Sequence, residues 1–257
     1  MKANTMLAGK KALILGVANG DSIAAGCARA LHAAGAEIAL TYLGEKARQH
    51  VAAVGDPLDA VLLGPCDVRV PGSLEAVFDA LAQRWGRLDI ALHSIAFAPR
   101  QDLHARVVDC SEAGFLQAMT VSCHSFIRMA KLAEPLMAEG GTLLTVSFYG
   151  AEKAVANYNL MGPVKAALEA SMRAVAAELG PKKIRAHALS PGPLLTRAAS
   201  GIDRFDELVE RAKAQSPGKR LVTTDEIGAL AAFLASDPAA AMTGGVHYVD
   251  AGYNIVG

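Results

Sequence analysis

Two side chains in this sequence have the chemistry to stabilise negative charge on a carbonyl oxygen: Tyr158 and Lys165, with six residues between them. A seven-residue step is close to two helical turns. On one continuous helix the pair would share a face, about 10 Å apart along the axis. A phenol donates a hydrogen bond to developing charge, and a nearby ammonium favours the phenolate. On an arbitrary helix such a pair signifies only packing and solvation, so its meaning depends on its surroundings. Other candidates are weaker. His93 ends an apolar run, His124 has no partner close in sequence, and both read as structural. Cys27, Cys66, Cys110 and Cys123 form no C-x-x-C pair and read as buried, reduced thiols. No metal site is expected.

The elements that must position the pair alternate regularly. Apolar runs at 12–15, 36–42, 61–63, 90–92, 142–146, 184–189 and 245–249 read as strands. Helices are expected at 22–34, 74–85, 114–137, 159–179 and 225–235, with a solvated, mixed-charge helix start near Glu45. Strict alternation implies an α/β, doubly wound (Rossmann-type) fold, a seven-stranded, mostly parallel sheet with helices on both faces. Hydrophobic residues make up 52% and aromatics 5%, and such small aliphatic side chains suit strands covered on both sides. The 257 residues suit a single domain, 1–257. Lysine plus arginine is 25 and aspartate plus glutamate is 25, which leaves no basic excess for nucleic acid. No apolar stretch suits a signal peptide or a membrane span. The expectation is a cytoplasmic protein with neither nucleic-acid nor membrane partner.

Ligands of such sheets lie beyond the carboxyl ends of the strands. The first strand runs into Gly16-Val17-Ala18-Asn19-Gly20-Asp21-Ser22-Ile23, which is not G-x-G-x-x-G. Gly16 and Gly20 can turn tightly, and the amides of Ser22 and Ile23 would sit at a helix N-terminus, suited to a pyrophosphate. The alternative is an ordinary glycine turn. The second strand ends at Leu43; Glu45 beyond it would suit NAD, whereas Lys46 and Arg48 would suit a 2′-phosphate. Asp67, followed by Val68, either accepts from an adenine amine or caps the next turn. Ser94-Ile95-Ala96 closes the fourth strand with residues small enough for backbone to approach a ribose.

Together these motifs resemble the enoyl-acyl carrier protein reductases of the short-chain dehydrogenase/reductase superfamily. The commoner short-chain dehydrogenases carry tyrosine and lysine four apart, and here that position is Gly162; six intervening residues are the enoyl reductase pattern. The runs His93-Ser94-Ile95-Ala96-Phe97-Ala98-Pro99, Gly150-Ala151-Glu152, Pro191-Gly192-Pro193 with Thr196, and Ala199-Ser200-Gly201-Ile202 agree. The likeness spans nearly the whole chain. It implies hydride transfer from NADH, with NADPH the alternative, to the β-carbon of a trans-2-enoyl thioester on acyl carrier protein, in fatty acid elongation. Tyr158 would donate to the thioester oxygen and Lys165 would hold the nicotinamide ribose. The cofactor would lie along Gly16, Ala18, Ser22, Ile23, Leu43, Asp67, Val68, Ser94, Ile95, Ala96, Lys165, Pro191, Leu194 and Thr196. The acyl chain would meet Ala98, Phe148, Tyr158, Ala199, Ile202 and Phe205, under a substrate loop and helix at about 197–220. The resemblance also implies a homotetramer.

Three features depart from the family pattern. Phe148 stands where many members have a second tyrosine, with Tyr149 beside it. Pro163 lies inside the expected helix, where it removes a backbone donor and is expected to bend the turn between Tyr158 and Lys165. Leu43 is apolar where relatives often carry a polar residue, and the absence of a basic group there favours NADH. Two rival readings remain: a short-chain reductase of a ketone or another activated alkene, and a catalytically silent dinucleotide-binding sensor. The intact Tyr158 and Lys165 argue against the second.

Overall fold

The computed structural model describes residues 5–196, 201 and 203–256. The apolar runs become strands β1 (Lys11–Leu15), β2 (Glu37–Thr41), β3 (Val61–Leu63), β4 (Ile90–His93), β5 (Gly141–Val146), β6 (Ile184–Pro191) and β7 (Val246–Val249). They form one sheet in the order β3-β2-β1-β4-β5-β6-β7. Every pairing is parallel, so the sheet is wholly rather than mostly parallel. Strand order reverses between β1 and β4, which opens a crevice at their carboxyl ends.

The helices are α1 (Ile23–Ala33), α2 (Glu45–Gly55), α3 (Ser73–Trp85), α4 (Arg100–His104), α5 (Glu112–Met119), α6 (Ser125–Ala133), α7 (Met161–Leu179), α8 (Phe205–Gln215) and α9 (Thr224–Ala235). Successive strand residues point to opposite faces. Ala12 and Ile14 of β1 enter a core shared with α1, α2 and α9, while Leu13 and Leu15 enter one shared with α3, α6 and α7. Glycine brings α1 and α9 together. A Cβ on Gly26 would lie 2.4 Å from the Thr224 carbonyl oxygen, so only glycine permits that crossing.

Two helices differ from expectation. The span 114–137 is not one helix. It divides into α5, a wider π-type turn at Thr120–His124, and α6, after which Pro135 sits in a tight closing turn. Ser125 Oγ donates to the Val121 carbonyl at 2.6 Å and so competes with the regular backbone ladder there. The second difference concerns the chemistry. α7 begins at Met161, and Tyr158 precedes it, in a turn where Asn157 and Asn159 have φ of 63° and 41°. Asparagine tolerates this left-handed backbone better than most residues. Tyr158 and Lys165 therefore do not share a helix. Pro163 is the third residue of α7, in the first turn, where backbone N–H groups have no intrahelical partner in any case. Proline costs no ladder bond there, and the expected bend is not required. Among the described residues, no helix is long and apolar enough to cross a membrane, and no group of three metal-ligating side chains gathers.

Candidate active site

The cofactor side of the crevice is built from backbone. Gly16 has φ of 97°, and a Cβ there would stand 2.1 Å from the Ser94 carbonyl oxygen. Only glycine lets the loop after β1 lie against the end of β4. Ser22 caps α1: its hydroxyl donates to the Asn19 carbonyl at 2.7 Å and accepts from the Ala25 amide at 3.3 Å. The hydroxyl is thereby committed, while the first amides of α1 stay available to an anion. Ala18 lies in that loop, and Ile95 and Ala96 continue the backbone that Ser94 presents to Gly16.

Farther along the edge, Leu43 follows β2 and is 60% exposed. Asp67 ties its own turn. Its carboxylate accepts from Arg69 Nε at 2.9 Å, from Nη2 at 2.6 Å and from the Arg69 amide at 3.0 Å. Those side-chain bonds from Arg69 hold the carboxyl below its ordinary range. Asp67 thus ties its own turn, which does not preclude a further contact to an adenine amine, because a carboxylate offers about four acceptor sites. Arg128, which sequence reasoning missed, fixes this wall: Nη1 donates to the Val68 carbonyl at 3.0 Å and Nη2 to Glu75 at 2.6 Å.

The catalytic side opens on a cavity of about 350 Å³. It brings together many of the expected residues: Ile23, Ala96, Pro191, Leu194 and Thr196 of the cofactor set, and Ala98, Phe148 and Phe205 of the acyl set, with Tyr158 and Lys165 among them. Leu103 and Met161 also line it, without having been singled out in the sequence. Gly16, Ala18, Ser22, Leu43, Asp67, Val68, Ser94 and Ile95 lie outside its lining. Ala199 and Ile202 fall outside the described residues, as does most of 197–202. α8 occupies much of the remainder of the expected 197–220 segment.

Tyr158 is 7% exposed. Its ring fits because residue 150 is glycine, where a Cβ would lie 2.4 Å from the ring's Cδ1. Phe148 packs on it with ring centroids 4.7 Å apart. Burial, with the Glu169 charge adding to it, pushes the phenol well above its ordinary value, so it stays a donor at neutral pH. Lys165 is also buried, and its Nζ donates to the Val146 carbonyl at 2.6 Å. Burial pulls its pKa down to about 8, with Glu169 opposing. A phenol held protonated beside an ammonium can donate to an oxyanion and stabilise the charge that follows.

Neighbouring residues brace the tyrosine. Asn159 Nδ2 donates to the Leu103 carbonyl at 2.9 Å, and His104 Nε2 lies 2.8 Å from the Gly201 carbonyl oxygen, so α4 is tied to both walls of the mouth. Tyr149, beside the family's second-tyrosine position, packs on Tyr253 with centroids 5.6 Å apart and does not line the cavity. His93 is structural, as expected: its ring nitrogens lie 3.2 Å from Thr145 Oγ1 and 2.7 Å from Ser125 Oγ. Glu169, buried behind Lys165, carried no signal in the sequence beyond its place one turn along the same helix.

Comparison with known proteins agrees with this geometry. A family model described as enoyl-(acyl carrier protein) reductase matches residues 16–254. An NADH-named enoyl-acyl-carrier-protein reductase of Rhizobium meliloti is 44% identical over 256 residues, covering 100% of this chain and 94% of the relative. One from Nostoc is 45% identical over 254 residues, with 98% of each chain covered. Among solved structures, the reductase of Anaplasma phagocytophilum in complex with NAD has a TM-score of 0.95 at 45% identity, over 100% of this chain and 98% of that one. The Bacillus cereus enzyme, solved with NADP+ and an indole naphthyridinone, gives 0.95 at 42% identity over 98% and 99%.

Proposed function

We infer the reaction from one premise: this chain belongs to the enoyl-(acyl carrier protein) reductase family. It is an oxidoreductase that uses NADH to reduce the 2,3 double bond of trans-2-enoyl thioesters presented on acyl carrier protein, a step of fatty acid elongation. The observation that carries this reading is the buried Tyr158 phenol at the cavity, kept protonated, with the Lys165 ammonium in the same cavity.

The residues present fit a dinucleotide. Gly16 lets the loop after β1 lie against the end of β4, and the N-terminus of α1 that follows carries a partial positive charge suited to an anion. Gly16, Ala18, Ser22 and Ile23 would hold the diphosphate. Asp67 and Val68 would meet the adenine, Ser94, Ile95 and Ala96 the riboses, and Pro191, Leu194 and Thr196 the nicotinamide end. Leu43 offers no cation for a 2′-phosphate, which supports NADH over NADPH. When bound, the reduced cofactor supplies the hydride. Lys165 holds the ribose hydroxyls. Tyr158 donates its hydrogen bond to the thioester oxygen as enolate charge grows there. Ala98, Phe148 and Phe205, which line the cavity, would cover the acyl chain and exclude water. Residues 1–257 act as one reductase domain in a cytoplasmic homotetramer.

The test is turnover. Purified protein oxidises NADH with crotonyl thioester and does little with a 3-ketoacyl thioester. Preference for the ketone sinks the assignment, and sedimentation reads the tetramer independently.

A further inference from the structure

We propose that Glu169 is a positioning residue of this site: its buried carboxylate is the counter-charge that keeps Lys165 an ammonium and fixes the end of β5 against α7. This inference rests on the role given to Lys165 above.

Glu169 is 4% exposed, and carboxylates are seldom buried so deeply without a partner or a task. It stands four residues after Lys165 on α7, one turn along the same face. Its Oε1 accepts from Ser147 Oγ at 2.5 Å. Ser147 directly follows Val146, whose carbonyl takes the Lys165 Nζ. Two consecutive residues at the end of β5 are therefore gripped by two consecutive turns of α7. The next residue, Phe148, carries that placement to the Tyr158 ring. Glu169 does not line the cavity, so it acts through Lys165 and the 146–148 segment rather than on substrate.

The charges around the pair leave Glu169 alone in this role. Lys165 is also faced by His93 from β4, which burial keeps neutral, and by the Cys123 thiol from the turn between α5 and α6. Tyr158, from the turn before α7, is a protonated phenol. Glu169 in turn meets Glu152 from the turn after β5, Arg173 one turn along α7, and Tyr248 from β7. Glu152 and Arg173 are exposed and solvent-screened. Burial pushes the Glu169 carboxyl up, the Ser147 bond and the Arg173 and Lys165 charges pull it back, and its charge opposes the desolvation of Lys165.

The sign follows. Burial already draws Lys165 down to about 8 with Glu169 present, so removing the negative charge draws it lower. The ammonium, and with it the ribose contact, is then lost at a lower pH. The experiment follows NADH binding by fluorescence and kcat/KM with crotonyl thioester across pH, in the wild type, Glu169→Gln and Lys165→Ala. Glutamine keeps the volume and an acceptor for Ser147 but removes the charge. The expected result is a basic limb moved down by about one pH unit, with binding on the low-pH plateau within about threefold of wild type. Superimposable profiles for Glu169→Gln and wild type overturn the proposal, as does an equal loss at every pH, which marks a structural role only. If Glu169→Gln does not fold, Ser147→Ala is read instead. It strips a bond that favours the charged form of Glu169, so the basic limb of NADH binding moves down, in the same direction as for Glu169→Gln, and an unmoved limb overturns the proposal. Lys165→Ala locates any failure. Normal NADH binding there removes the role of Lys165 itself, whereas lost binding there beside an unshifted Glu169→Gln removes only the inference. Binding needs no turnover, so failure to reduce crotonyl thioester would count against the reaction alone.

Discussion

His93 and Lys165 are buried polar side chains near the ends of neighbouring strands, and burial pushes both pKa values down, to about 3 and about 8. They differ in what their polar atoms touch. Both His93 ring nitrogens are spent on Thr145 and Ser125 in a closed core. Lys165 uses one bond on Val146 and still reaches the cavity, and Tyr158, beside the same cavity, makes no hydrogen bond through its hydroxyl to any described residue. A perturbed pKa therefore marks burial in both regions. An unspent donor at a cavity is what separates the site that does chemistry from the one that only packs.

The largest effect that tests this contrast is loss of the unspent donor. Tyr158→Phe keeps the ring that Phe148 and Gly150 enclose but deletes the hydroxyl, and turnover should fall about 10²- to 10³-fold with NADH affinity unchanged. Steady-state kinetics beside fluorescence binding checks both halves, and near-normal turnover would erase the distinction between the two regions. Next comes Gly150→Ala. The new Cβ meets the Tyr158 ring at 2.4 Å, so the ring must move. Displacement of a reacting group by about 1 Å costs up to about 100-fold, so a drop of about 10- to 100-fold in kcat is expected. A variant with unchanged kcat would show that the position of the ring is not limiting.

Much of this arrangement was legible before the structure, for physical reasons. Strands buried on both faces must be continuous apolar runs, so β1, β4 and β6 announce themselves, and the order of elements then places the crevice. Gly16 was legible because backbone turns of that kind need glycine. The turn around Tyr158 was not. Its apolar and polar spacing continues that of α7, and only the two asparagines hint at left-handed backbone. The break at Thr120–His124 was hidden in the same way, because a wide turn preserves helical patterning. Glu169 was invisible because a glutamate one turn past a lysine reads as an ordinary surface pair. Its burial depends on α7 packing against the end of β5, where Ser147 bonds it, and that information is non-local.

A third effect falls on stability and leaves the chemistry alone. The folded pKa of His93 lies far below the ordinary 6.5. Above 6.5 the ring is neutral in both folded and unfolded chains and adds no pH dependence. As pH falls from 6.5 toward 3, the unfolded chain takes up a proton that the folded chain refuses, so stability drops over that window. His93→Gln cannot take up that proton. Its unfolding free energy should fall by about 1–3 kcal/mol at pH 7, from imperfect bonding to Ser125 and Thr145, but depend less on pH between 6.5 and 3. Urea unfolding at several pH values measures this. A change in kcat at pH 7 with stability intact would instead give His93 a chemical role.

The smallest expected effect sharpens the comparison most. Phe148→Tyr places a hydroxyl on a half-buried ring that lines the cavity and packs 4.7 Å from Tyr158, at the position where many family members carry a second tyrosine. If the donor's identity lies in Tyr158's own placement, the new hydroxyl is a bystander, and kcat should stay within about threefold of wild type. The decisive form puts it into the Tyr158→Phe background. The two rings touch, so their effects need not add, and the double variant measures their coupling directly. With Tyr158 as the sole effective donor, the double variant is as slow as Tyr158→Phe alone. Recovery of tenfold or more would mean that a hydroxyl at 148 reaches the same oxyanion. What then distinguishes this region from that of His93 would be the cavity wall as a whole, not one phenol placed by two left-handed asparagines.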